Sequence, residues 1–350
     1  MSTDERVVSA ARSARKALKF SSFDGVIAVE RTVALTKLID LSQSIYEGIP
    51  VYPGDPLFES RPFADHDSDG YRGSRYTVGS HLGTHLDAPY HFFVDGETLD
   101  SFPVEFFMGS CACLNLAPVV GPDSPRYRGR RDLTRPCALS VADLAPYEPV
   151  IESVPILILR TGWSPRAGFT AYYDDFPSLS PDVCDWLADY PNLRILGLET
   201  PSVAALPGAD AESDAPDAPD EPETKERKPK FDPELREFLP PLPDAQLPAD
   251  SAPEPAAASD APAFAAPPLD EVELLADAEC HRILLGRRPP ILILEGLVNL
   301  DQLPQYCAGA PDAAPLVPEP KLRFELSCFP LAIKGADGSP TRVVARIPDA

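Results

Sequence analysis

The chain has 350 residues, enough for one large domain or two ordinary ones. Its hydrophobic content of 44% allows a sizeable core, and its formal net charge of −23 argues against nucleic-acid and anionic-membrane partners. No apolar run approaches the roughly 20 residues that span a bilayer, so no membrane partner is expected.

The opening MSTDERVVSAARSARKALKFSS lacks the apolar stretch of a secretory signal. Its Ala, Ser and Arg are shared with organelle transit peptides, but Asp4 and Glu5 are not. Residues 1–34 read as a flexible N-terminal segment of a cytoplasmic protein, with organelle import as the alternative. None of the seven cysteines forms a CxxC pair, and Cys111, Cys113 and Cys328 lie in apolar runs, which suggests reduced, intracellular thiols.

Strands are expected at LTKLIDLS (35–42), SRYTVGS (74–80), CACLNL (111–116), VPILILR (154–160) and LRILGL (193–198). SPDVCDWLADY (180–190) reads as a helix with Ser180 as N-cap and Pro181 in its first turn. The pattern then breaks. Residues 207–270 hold fifteen of the 43 prolines, sixteen acidic and five basic residues, too little apolar surface to offset the entropy of ordering. A disordered acidic insert is expected over 207–268. Inside it, KERKPK (225–230) reads as a solvated charge run, and FDPELREFLPPL (231–242) has apolar residues at helical spacing. Beyond it come a helix, LDEVELLADAECHRILLG (269–286), and strands at PILILE (290–295) and LRFELSCFPLAIKG (322–335). The order predicts one mixed α/β domain over 35–206 and 269–347.

Three of the five histidines fall in HLGTHLDAPYH (81–91). His81, His85, Asp87 and His91 share a parity, so one face of a straight strand would carry them all. That strand would hold His81 and His85 roughly 13 Å apart, whereas ligands of one ion sit about 2.1 Å from it. The chain must therefore curl, and Gly83 and Pro89 stand where a curl is permitted or forced. Neutral imidazole and carboxylate suit zinc, manganese or iron(II). Further ligands must come from elsewhere, and His281 and Glu295 are the candidates. The competing reading is scattered polar residues with local hydrogen bonds. That reading suits His66, in the turn-like ADHDSDG, but not the cluster.

HLGTHLDAPYHF resembles the His-x-Gly-Thr-His-x-Asp-x-Pro-x-His signature of the cyclase-like metal hydrolases, which include bacterial-type kynurenine formamidases and isatin hydrolases. LIDLSQSIYEGIPVYPGDP (38–56), HFFVDGETLDSFPVEFFMGSC (91–111), LRTGW (159–163), GLETPSV (197–203), ILILEGLVNLDQL (291–303) and FPLAIKGADGSPTRVVA (329–345) extend the likeness in order. The resemblance implies a swivelling β/β/α fold, a homo-oligomer, and a divalent metal, zinc or manganese, at two sites per chain. His81, His85 and Asp87 match ligands of the first ion, and Asp87, His281 and Glu295 those of the second. His91 matches the general acid/base. Glu199 stands where relatives usually carry Asp, and the insert replaces a short link to the helix bearing His281.

The implied reaction is hydrolysis of a small-molecule aryl formamide, with N-formyl-L-kynurenine as first choice and another cyclic or aryl amide or lactone, such as isatin, as second. Tyr52, Phe92, Phe93, Phe102 and Trp163 are available to line an aromatic pocket, with core packing as the alternative for each. Two other classes stay open: an iron(II) oxygenase using a His, His and carboxylate triad, and a non-enzymatic scaffold acting through the acidic insert.

Overall fold

Twelve strands and two longer helices carry the fold of the computed structural model, which describes residues 36–130, 137–204, 273–307 and 316–348. In chain order the strands are β1 (Thr36–Asp40), β2 (Glu59–Ala64), β3 (Gly73–Thr77), β4 (His85–Asp87), β5 (Met108–Asn115), β6 (Ala138–Leu139), β7 (Ile156–Arg160), β8 (Ser178–Leu179), β9 (Ile195–Leu198), β10 (Leu292–Glu295), β11 (Phe324–Pro330) and β12 (Gly338–Pro348). The helices are α1 (Pro181–Ala188) and α2 (Glu273–Gly286). The N-terminal segment, the insert with KERKPK and FDPELREFLPPL, and the start of the 269–286 helix lie outside the described residues.

The apolar runs form the centre. β5, β7, β9 and β10 pair in parallel, and Ile156–Leu159 and Leu292–Leu294 are fully buried, as runs without polar alternation require. β11 and β12 extend the sheet antiparallel from β5. β12 pairs with β11 and β1 along its C-terminal part, while Gly338–Pro340 at its start pair with β4. β4 in turn pairs with β10, so β12, β11, β5, β7, β9, β10 and β4 close into a barrel. The expected mixed α/β domain is what forms, with this barrel at its core. The short strand inside the histidine motif is the one that closes it.

Ser180 caps α1 by accepting a hydrogen bond from the Val183 N–H, and Pro181 occupies the first turn. α1 and α2 pack against each other. The Arg287 guanidinium, just after α2, donates to the carbonyls of Tyr190 and Leu193 at 2.7 Å each, tying the end of α2 to the segment between α1 and β9. Two expectations need correction. The run 322–335 is not one strand: β11 stops at Pro330, and 331–337 turn into β12. SRYTVGS (74–80) does form β3, but the sequence reading passed over β12 itself and β2, whose side chains are mostly exposed and lack the apolar alternation that marks a half-buried strand. All seven cysteines are free thiols, and only Cys307 is exposed.

Candidate metal centre

The motif bends twice. Gly83 adopts φ +66°, the left-handed region that glycine enters without strain, and Pro89 opens a single 3-10 turn over Pro89–His91. Between the bends, β4 lasts three residues. The His81 and His85 rings are thereby brought to 5.2 Å between centroids, and those of His81 and His91 to 4.0 Å. The curl expected from spacing is present, at the two residues expected to allow it.

Sheet register assembles the rest. His85 and Asp87 alternate onto one face of β4. Glu295, the last residue of β10, pairs directly with His85. His281 reaches the same point from α2, and Phe92 stacks on its ring at 4.6 Å. His85 Nε2 lies 3.4 Å from both Asp87 Oδ1 and Glu295 Oε2, and His281 Nε2 lies 3.7 Å from Asp87 Oδ2 and 3.6 Å from Glu295 Oε1. These four side chains are all buried.

Those separations bear on whether a metal fits. A good hydrogen bond to a carboxylate is about 2.7–3.2 Å long, whereas two ligands about 2.1 Å from one ion at a tetrahedral angle lie about 3.4 Å apart. The four distances of 3.4–3.7 Å match the second case. Two carboxylates are buried here, and among the described residues no lysine or arginine lines the cavity to neutralise them. His81, His85 and Asp87 form one three-ligand group, and Asp87, His281 and Glu295 another, with Asp87 common to both. The donor set fits divalent cations, with His85, Asp87, His281 and Glu295 at ligand spacing and His81 Nδ1 at hydrogen-bond distance, 2.7 Å, from Asp87 Oδ1.

Charge in the metal-free cluster follows from burial and pairing. Burial disfavours the charged form of His81, but Asp87 and Asp337 outweigh it and hold its pKa at about 9. His85 is also raised: burial opposes its charge, and Asp87 and Glu295 prevail. Burial would raise Asp87, yet His81 and His85 hold it well below the usual carboxylate range. His91 goes the other way. Burial, with like charge on His81 and His281, pushes it down to about 4 despite Asp87 and Asp337. The histidines thus divide into those held by carboxylates and one that stays neutral beside them.

The cavity is lined by His81, His85, Asp87, His91, His281 and Glu295 on one side and by Tyr52, Phe92, Tyr172 and Tyr173 among the aromatics. Of the five candidate aromatics, Tyr52 and Phe92 line it. Phe93, Phe102 and Trp163 do not. Phe93 wedges against Gly286, where a Cβ would come within 2.9 Å of its ring. Phe102 packs against Phe106 at 4.8 Å between centroids. Trp163 is buried beneath the site and donates its indole N–H to the Tyr172 carbonyl at 2.8 Å. Each answers a demand for core packing that a sequence cannot distinguish from a pocket wall. His66 sits in an exposed helical turn, away from the site, as read.

Asp337, Asp55, Tyr172, Tyr173 and Ser202 were missed. Asp337 accepts from His81 Nε2 at 3.0 Å and from the Ser80 hydroxyl at 3.3 Å. Its only sequence signal was its place in GADGSPTRVVA, inside the family resemblance. Glu199 is buried and accepts hydrogen bonds from the Thr161 hydroxyl and the Gly162 and Ser164 N–H groups, so it braces a loop and is absent from the cavity wall.

With this geometry in hand, the motif's resemblance holds. Residues 39–205 match the family model described as "Putative cyclase". The chain is 27% identical over 170 residues to the kynurenine formamidase of Geobacillus thermodenitrificans, covering 48% of this chain and 70% of that protein. Among solved structures, isatin hydrolase A from Labrenzia aggregata matches at 20% identity with a TM-score of 0.55, over 99% of this chain and 100% of its own. Isatin hydrolase A from Ralstonia solanacearum matches at 18% identity with a TM-score of 0.56, over 99% and 98%. These structures share the fold.

Proposed function

We propose that the protein is a metal-dependent hydrolase that cleaves the amide bond of an aryl formamide, with N-formyl-L-kynurenine, giving L-kynurenine and formate, as its first substrate. The observation that carries this reading is the buried Asp87–Glu295 pair, faced by the imidazoles of His85 and His281 at ligand spacing. The kynurenine formamidase relative favours the formamide over other amides. His81, His85 and Asp87 would hold one ion, zinc or manganese, and Asp87, His281 and Glu295 a second. A divalent cation bound there supplies a Lewis acid and lowers the pKa of a water toward about 7.

The chain's own residues do the rest. The aromatic wall of Tyr52, Phe92, Tyr172 and Tyr173 accepts a flat aryl group. His91 stands beside the ligand cluster with its side chain 31% exposed, open to the cavity. It takes a proton as the hydroxyl oxygen of water bonds to the carbonyl carbon. It returns that proton to the aryl nitrogen as the C–N bond breaks, so formic acid and an amine leave with His91 neutral again, and the acid ionises to formate by losing a proton to solvent. In isatin the same steps would open a ring.

The test is a substrate panel on the metal-loaded protein. N-formylkynurenine is expected to turn over faster than isatin, and His91→Ala to keep its metal while losing at least about 100-fold in rate. Turnover of isatin without N-formylkynurenine would overturn the substrate assignment.

A further inference from the structure

Asp337 belongs to neither ligand group that contains Asp87, and stands instead with His81 and His91. Asp337 immediately precedes β12, and its backbone position is fixed by the barrel closure: Gly338 pairs with Asp87, and the Ala88 N–H donates to the Asp337 carbonyl at 2.8 Å. From there Oδ2 lies 3.0 Å from His81 Nε2 and 3.8 Å from His91 Nδ1. The other nitrogen of His81, Nδ1, faces Asp87 Oδ1 at 2.7 Å. Gly338 completes the seat, because a Cβ at that position would lie 2.5–3.0 Å from three atoms of the His81 ring. A strand more than two hundred residues downstream thus offers His81 both a floor and a hydrogen-bond acceptor.

We infer that Asp337 is a positioning residue: by accepting the Nε2–H of His81 it fixes that tautomer, directs the Nδ1 lone pair at the ligand cluster, and keeps the adjacent, tilted His91 ring in place beside it. The inference rests on the proposed metal-dependent reading and goes beyond it, because it gives a role to a residue outside the ligand set. A ligand histidine is commonly held this way, its second nitrogen donating to a carboxylate, and loss of such a partner costs about 10–100-fold in metal affinity or activity. Asp337 has a side chain 39% exposed, so the role does not depend on a buried charge.

The test uses the full chain and three readouts. Competition with a chelator measures Zn2+ and Mn2+ affinity, kinetics on N-formylkynurenine separate kcat from KM, and melting of the metal-free protein reports the fold. Asp337→Ala is expected to weaken the tighter ion about 10–100-fold and to lower kcat with KM unchanged, in a metal-free protein that still melts cooperatively. Asp337→Glu is expected to recover part of the metal affinity, because it restores the acceptor. Wild-type affinity and kcat in Asp337→Ala would overturn the inference, and so would a lowered metal-free Tm with metal affinity intact, which would make Asp337 purely structural. If the wild type itself bound no divalent ion, the metal-dependent reading would fall first, and that result needs no variant.

Discussion

His81, His85 and Asp87 lie within seven residues of one another on a bend and a three-residue strand, whereas His281 and Glu295 reach the same point from a helix and a strand beyond the insert. The first group is organised by local backbone: the turn at Gly83 and the pairing of β4 on both its edges, with β10 and with β12. The second is organised by docking. α2 leans on α1, Arg287 staples its end, and the N–H of Val203, near the end of the described chain before the insert, donates to Glu295 Oε1 at 2.7 Å. The described residues on either side of 205–272 are thus pinned to each other at the site.

Substitutions that strike the two groups differently should separate them. The largest effect is expected at Asp87, which both groups share. Asp87→Ala should abolish tight binding of either ion and reduce hydrolysis by more than about 10³-fold, equivalent to several kcal/mol of transition-state stabilisation; metal analysis after gel filtration, with a rate assay, checks this. Arg287→Ala should act on the docked group alone. Stripping a guanidinium from buried carbonyls costs about 1–3 kcal/mol for each group left unsatisfied. Thermal unfolding should show that loss, with the weaker of two metal-binding steps falling more than the stronger.

Proton linkage sharpens the same contrast. His81, in the local group, has its pKa raised to about 9 in the metal-free cluster, above the ordinary value of 6.5. A raised histidine pKa stabilises the fold fully below the unfolded value, and that contribution is lost as pH rises through the folded one. The Tm of the chelator-treated protein should therefore fall between about pH 6.5 and 9. The metal-loaded form should not follow, because a ligating imidazole has already given up its proton. The smallest effect is expected from deleting residues 207–268. Melting and hydrolysis should both stay near wild type, and activity equal to that of metal-free protein would show that the insert takes part in docking.

How much was legible in the sequence tracks the same division. VPILILR, LRILGL and PILILE became β7, β9 and β10 because apolar runs without alternation demand burial on both faces. Ser180–Pro181 marked the start of α1 by its capping chemistry. The curl of HLGTHLDAPYH followed from distance alone, since a straight strand cannot bring two ligands to one ion. Asp337 was invisible for the opposite reason: its role depends on β12 meeting β4, a register between segments about 250 residues apart. Tyr172 and Tyr173 were missed while Trp163 was chosen, because all three are aromatic and only tertiary packing decides which one faces the cavity and which one lies beneath it.

The central claim is that two buried carboxylates and their imidazoles hold divalent cations that drive hydrolysis. Equilibrium titration of the metal-free protein with Zn2+ or Mn2+, with N-formylkynurenine hydrolysis measured at each point, tests it directly. Two ions bound per chain, with activity rising as they fill, is the predicted result. A protein that binds no more metal than Asp87→Ala, or that fills both sites and hydrolyses no amide, would contradict it.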